Sequence, residues 1–388
     1  MTESAVKTPF QNLKFLIIII KITGLISCQL VNGRLKPASI WGRYYCLAWI
    51  FFHCAYTSVN YYEWCIMPPE IAGTLFFLIV LRSNAFFVSL IPYHFVAALQ
   101  NRIVAKFCDK LEAYDDKATV LGYRRKDKHM FIWLYFAYTL TTLTMKTYYS
   151  ISQNIERGTM ALLKVTFEIV SVIIGTYCVF ITVIYLDLIR QRFRHLNQII
   201  VPHVSELPVA ELQGKITIYD VRHLHGVLID CAELINDLYG TGTLFTFMSI
   251  LVEFVAVIYL FIEDIEDNNA IVTILDLSFQ AIYLFAMYHW ATLEANRIEE
   301  SVEKYGLSFQ NVKCRMDKIE MMLYFYHARF SFTAADFFIL DLTIFLSVNQ
   351  SLLEFIPLEN IMLQILLLSD MFYGTDVYNY NNVNFAIC

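Results

Sequence analysis

The sequence predicts an all-α integral membrane protein that crosses the bilayer several times with its N-terminus in the cytoplasm. Three observations carry this. The 388-residue chain is 57% hydrophobic and only 16% charged, where soluble domains carry about 25% charged residues. The apolar residues fall in runs of the length needed to cross a hydrocarbon core, roughly 20 residues of helix. The basic residues collect in alternate linkers between those runs, which orients the chain.

The runs are taken in order. Residues 13–30 are apolar but carry Lys21 and Gly24, so they read as an interfacial helix rather than a span. Residues 43–62 form a first span and 71–97 a second, the latter interrupted by Arg82 and Asn84. Residues 130–149, 163–189, 243–262 and 270–291 form the third to sixth. Lipid offers no partner to backbone polar groups, so each must be helical unless the strands close into a barrel. Period-two alternation is absent, which argues against a barrel. Residues 98–120 and 205–239 place apolar side chains at three- and four-residue spacing. They are expected to extend the spanning helices into the cytoplasm and pack on one another. The unit so defined runs from residue 1 to 348, with a cytoplasmic helix at about 313–348.

The linkers set the orientation. Between spans two and three lie Arg102, Lys106, Lys110, Lys117, Arg124, Arg125, Lys126 and Lys128. Between four and five lie Arg190, Arg192, Arg194, Lys215 and Arg222, and after span six Arg297, Lys304, Lys313, Arg315, Lys318 and Arg329. With Lys7, Lys14, Lys21, Arg34, Lys36 and Arg43 these make 25 of the 29 basic residues. The opposite links, 63–70, 150–162 and 263–269, hold only Arg157. The positive-inside rule then puts the N-terminus and the long linkers in the cytoplasm. That is opposite to a G-protein-coupled receptor, so no G protein is required. No cleavable signal peptide is expected, because Lys21 interrupts the first apolar stretch and no small-residue cleavage site follows.

Chemistry-bearing motifs are few. The nine cysteines show no CxxC and no paired spacing, so neither a zinc site nor a disulfide framework is indicated. His223 and His225 are two apart and point to different sides of a helix. Gly240-Thr-Gly242 lacks the third glycine and the strand of a dinucleotide site. No catalytic constellation, cofactor or nucleic-acid patch is expected, and the chain reads as no enzyme. Glu263, Asp264, Glu266 and Asp267 lack EF-hand spacing and read as a solvated loop. Arg124, Arg125, Lys126 and Lys128 could meet anionic membrane lipid, or serve only to fix topology.

Polar groups inside spans are costly and mark candidate function. Arg82 and Asn84 in the second span, Tyr148 and Tyr149 ending the third, Glu168 in the fourth, Glu253 in the fifth, and Asp276 and Gln280 in the sixth fall in the outer halves. They could line one ligand pocket, aromatics stacking on the ligand and carboxylates or the amide binding its hydroxyls or amine. The competing reading is structural, with Arg82 paired to Glu168, Glu253 or Asp276.

YDVRHLHGVLIDCAELINDLYG at 219–240 resembles the segment before the fifth helix of insect gustatory receptors. FQNLKFLIIIIKITGLIS at 10–27 looks like that family's N-terminal region, and ARFSFTAADFFILDLTIFLSV at 328–348 like its cytoplasmic helix before the pore. The resemblance covers residues 10–348. It implies a seven-helix, odorant-receptor-like subunit of a homo- or hetero-tetramer in the plasma membrane. Such a tetramer is a ligand-gated, non-selective cation channel that opens on a small-molecule tastant. A secondary transporter is the alternative from another class. It predicts paired Gly- or Pro-broken helices, and no such pairing is seen.

The resemblance fails at the end. The family's pore helix carries Thr-Tyr, five apolar residues and Gln-Phe, which this chain lacks. Residues 349–388 contain Glu354, Pro357, Glu359 and Asp370, and the apolar run 361–368 is too short to span. A divergent pore helix with cation-attracting carboxylates is one reading. A misjoined or read-through C-terminus, giving a pore-defective isoform, is the one favoured.

Overall fold

In the computed structural model, residues 10, 12–31, 34–66, 73–123, 128–155, 159–203, 218–262, 270–304, 320, 323–344 and 347 are described. Nine α-helices of seven or more residues and one two-stranded hairpin are found among them. α1 is Lys14–Ile22; β1 (Gln29–Val31) and β2 (Arg34–Lys36) pair antiparallel, with Leu30 opposite Leu35. α2 (Ile40–Ile66), α3 (Gly73–Leu99), α5 (Met130–Asn154), α6 (Thr159–His195), α7 (Ile218–Ile262) and α8 (Ala270–Asn296) are the long helices. α4 (Asn101–Val120) and α9 (Ile298–Lys304) complete the set.

Helices of 25 to 45 residues are longer than a bilayer core requires at 1.5 Å per residue. Among the described residues, hydropathy alone marks Phe76–Leu99, Lys164–Ile200 and Tyr219–Tyr259 as long and apolar enough to cross. α2, α5 and α8 are of similar length but carry more Tyr, Thr and Trp. The bundle turns bulky apolar side chains outward, among them Phe51, Phe77, Leu134 and Leu275, the first 75% exposed. Outward apolar surface on this scale is expected of a chain solvated by lipid. α6 is the central helix: Ile174, Phe180, Val183, Leu186 and Leu188 are all but fully buried. It contacts α3, α5, α7 and α8.

One end of the bundle holds most of the basic residues and is densely cross-linked. There α4 packs on the first half of α7, with ion pairs Lys110–Asp230 and Lys117–Asp220, the latter at 3.1 Å. Arg192 is fully buried and pairs with Asp115 at 2.5 Å. The Tyr114 hydroxyl lies 3.1 Å from Arg192 O and 3.0 Å from His195 Nδ1. Buried charges persist when they are paired in this way. α6 ends in one π turn at Leu196–Ile200 and a 3₁₀ turn at Val201–His203. Asn197 donates to Glu294 O at 2.7 Å, which ties this terminus to α8.

Three expectations are corrected. The first apolar stretch is helical only to Ile22. Gly24 adopts φ +75 and a Cβ there would lie 2.2 Å from Trp49 Cδ1, so the chain turns and forms the hairpin instead of continuing to residue 30. Residues 98–120 are not a straight extension of the second span. The helix breaks at Gln100, whose φ and ψ are −103 and 18, and α4 starts anew.

The cytoplasmic helix expected at about 313–348 is also interrupted. Residues 323–327 are helical, but 329–341 form a small turn with a Thr333–Ile339 bridge. Ala335 and Asp336 have φ 49 and 61, a region that side chains rarely occupy. Backbone bonds Ala334 N→Phe338 O (2.9 Å) and Leu340 N→Phe332 O (2.8 Å) replace the helical ladder. Asn236 of α7 and Asn296 of α8 hold this turn, accepting from Thr333 N at 2.8 Å and Phe330 N at 2.9 Å. Two-residue spacing of the buried Phe332 and Ala334 suits the turn, and helical periodicity had concealed it. The acidic loop 263–267, Arg124–Lys126 and the atypical segment 349–388 lie outside the described residues.

Candidate functional site

At the end of the bundle opposite the cross-linked one, α2, α3, α5, α6, α7 and α8 line a cavity of about 390 Å³. That is within the range of small-molecule sites, about 300–1,000 Å³. α3 supplies Arg82, Ser83, Phe86, Phe87, Ser89 and Leu90, and α6 supplies Lys164, Glu168, Ser171, Val172, Gly175, Thr176, Cys178 and Val179. α7 adds Thr246, Ser249, Ile250 and Glu253; α8 adds Asp276, Leu277 and Gln280; Tyr56 and Lys146 come from α2 and α5. On each helix the lining residues recur at three- and four-residue steps, which places them on one face.

Five of the eight residues singled out from the sequence meet here: Arg82, Glu168, Glu253, Asp276 and Gln280. Arg82 Nη2 lies 2.6 Å from Glu253 Oε1, joining α3 to α7. The pairing of Arg82 with Glu253 is thus present, and the same two side chains line the cavity. Asp276 is 3% exposed. Its Oδ2 accepts from Lys146 Nζ at 2.5 Å and from Gln280 Nε2 one turn on at 3.0 Å. Glu168 Oε1 accepts from the Tyr56 hydroxyl at 3.3 Å.

The other three are not in the lining. Asn84 turns its amide back onto Val80 O at 2.8 Å, satisfying itself within α3. Tyr148 is 69% exposed and makes an edge contact with Tyr149 at 5.8 Å, and neither ring is part of the lining. Lys146 and Lys164 are the residues the sequence reading missed. Each is a charge inside an expected span, the same signal that marked Arg82. Lys164 also stands four residues before Glu168, a spacing that puts the two charges together on a helix.

The lining mixes charged and hydroxyl side chains with apolar ones. Three basic residues (Arg82, Lys146, Lys164) face three acidic ones (Glu168, Glu253, Asp276). Four serines and two threonines join them. Among the described residues no group of three or more His, Cys, Asp or Glu could hold a metal. Such a chamber can bind and orient a small molecule by hydrogen bonds and stacking.

A multi-pass helical bundle with a small-molecule cavity between its helices defines a membrane receptor or carrier. Comparison with known proteins decides between them. The 7tm chemosensory receptor family model matches residues 13–353, and this chain belongs to that family. No curated protein sequence matches it. The fold is similar to the insect olfactory receptor OR5 from Machilis hrabei, with a TM-score of 0.67 at 12% identity over 91% of this chain and 98% of that one. It is equally similar to the same receptor in complex with eugenol, with a TM-score of 0.65, 11% identity and coverage of 92% and 98%.

Proposed function

We propose that this protein is a gustatory receptor subunit whose cavity binds a small-molecule tastant and whose tetramer is a ligand-gated cation channel. The observation that carries the reading is the cavity between the helices, lined by five separately placed polar residues of the spans, in a chain of the chemosensory receptor family. A receptor of the same fold was solved in complex with eugenol, which supports small-molecule binding as the use of this architecture. The asymmetry of the basic residues supports a cytoplasmic N-terminus in the plasma membrane. In that orientation the cavity faces outward, where a tastant arrives, and the cross-linked end lies inside.

A second reading is favoured by a specific observation. The family match stops at residue 353, and the sequence beyond it holds Glu354, Pro357, Glu359 and Asp370. In that reading the subunit assembles and binds ligand but does not conduct.

The test separates the two. The full chain is expressed in cells, alone and with its pore segment replaced by one carrying Thr-Tyr and Gln-Phe, and tastant-evoked current and ligand binding are recorded. Ligand-evoked current from the native chain supports the channel reading; binding with current only from the replaced chain supports the pore-defective one. Absence of ligand binding in both, with normal surface expression, contradicts the receptor assignment of the cavity.

A further inference from the structure

We propose that the cavity recognises a neutral, hydroxyl-rich small molecule rather than an amine, a carboxylate or an apolar aromatic. The inference rests on the reading of the cavity as the ligand site and adds the chemical class of the ligand.

The first observation is charge balance. The lining holds as many acidic as basic side chains, and the closest of them are already spent on one another, Arg82 on Glu253 and Lys146 on Asp276. A cationic ligand at Glu253 or Asp276 would have to share the carboxylate with an existing cation at close range, and at Glu168 it would meet the charges of Lys164 and Arg82. An anionic ligand would enter a space bounded by Glu168, Glu253 and Asp276. In either case a like charge in a poorly solvated site opposes binding. A neutral molecule leaves both ion pairs intact.

The second observation is a pair of unmet hydrogen-bonding atoms. Ser171 is 1% exposed and Asp276 3% exposed, and both line the cavity. Ser171 Oγ and Asp276 Oδ1 have no hydrogen-bond partner among the described residues. Lys146 and Gln280 both bond the other carboxylate oxygen of Asp276, Oδ2. Buried polar atoms are almost always satisfied, and the cavity that both residues line is a place where a missing partner can be held. Asp276 Oδ1 requires a donor, while Ser171 Oγ can both donate and accept. A hydroxyl is the group that answers both, and neighbouring hydroxyls on one small molecule could reach α6 and α8 together.

The third observation is the remainder of the wall. Ser83, Ser89, Ser249, Thr176 and Thr246 offer further hydroxyls. Phe86, Phe87, Leu90, Val172, Ile250 and Leu277 are apolar, and the two rings offer a face against which a ring can lie. An apolar aromatic would cover that face and leave Ser171 Oγ and Asp276 Oδ1 unmet.

The experiment uses the full chain in lipid nanodiscs, with binding measured by calorimetry, so that pore function is irrelevant. The probes are sucrose and myo-inositol, glutamine as a zwitterion, tyramine as a cation, and eugenol. Two variants accompany the native protein. Ser171→Ala removes one unmet hydroxyl without touching an ion pair, and Leu277→Trp fills the cavity.

The expected result is binding of at least one polyol, weakened about three- to tenfold by Ser171→Ala, the worth of one hydrogen bond, and abolished by Leu277→Trp. Glutamine, tyramine and eugenol should bind at least tenfold more weakly. Tighter binding of one of those three, lost on Leu277→Trp, overturns the ligand class while leaving the cavity as the binding site. Binding of no probe, or binding indifferent to Leu277→Trp, overturns the inference together with the site assignment beneath it.

Discussion

The ion pair between Arg82 and Glu253 should be a measurable tie between α3 and α7. Its charged atoms are 2.6 Å apart, and the side chains are 32% and 16% exposed. At that distance the gross attraction is roughly 6 kcal/mol for an effective dielectric near 20. Partial exposure screens it, and removing two charges from water offsets much of the rest. Exposed pairs contribute about 0.2–1 kcal/mol, whereas breaking a buried pair costs about 3–5 kcal/mol. This pair lies between, so a coupling energy of about 1–3 kcal/mol is expected. Arg82→Ala, Glu253→Ala and the double variant would be unfolded in mixed detergent micelles, and the cycle closed from their free energies. Each single variant should cost more than the coupling alone, because it strands the partner charge beside the cavity. Coupling below about 0.5 kcal/mol would refute the claim that the pair holds the two helices together. The reversed pair, Arg82→Glu with Glu253→Arg, should recover part of the loss.

Other tests probe the scaffold. Gly240→Ala would bring a Cβ to 3.0 Å from Thr333 O and 3.2 Å from Ala335 N. Since backbone cannot give way as a side chain can, it should destabilise by about 1–3 kcal/mol and loosen residues 329–341, read by hydrogen exchange. Asn236→Ala removes an acceptor for Thr333 N and a donor to its hydroxyl. The same turn should then become sensitive to protease, with cleavage near Asp336 before global unfolding. Tyr114→Phe should cost about 1–2 kcal/mol in a chemical unfolding curve, since Arg192 O and His195 Nδ1 lose the hydroxyl they share. Burial pushes the Cys28 thiol up to about 11 and holds that of Cys108 well above its ordinary value. The thiolate is the reactive form, so both should resist iodoacetamide at pH 7.4 and label, by mass spectrometry, only after unfolding.

How much of this was legible in the sequence follows from the physics of each part. Lipid leaves the backbone no partner but itself, so residues 43–62, 71–97, 130–149, 163–189, 243–262 and 270–291 announced helices by length and hydropathy alone. All-α, multi-pass architecture followed from that. The cost of a polar or charged group in an apolar span is likewise local, which is why Arg82, Glu168, Glu253, Asp276 and Gln280 could be singled out before they were seen to meet. The same rule applied to Lys146 and Lys164 would have found the remaining charges of the cavity.

What the sequence did not determine is which faces turn toward one another. Asn84 is as polar as Gln280, but one satisfies itself on Val80 O and the other reaches Asp276. Tyr148 and Tyr149 have the residue types of a binding wall and are not part of the lining. Nor could local pattern reveal the turn at 329–341. Its left-handed Ala335 and Asp336 are held by Asn236 and Asn296, distant in the chain. Span lengths and their charges are properties of single segments, and the sequence states them. Partner choice, rotation about each helix axis and the ends of irregular segments depend on contacts between segments, and those exist only once the chain has packed.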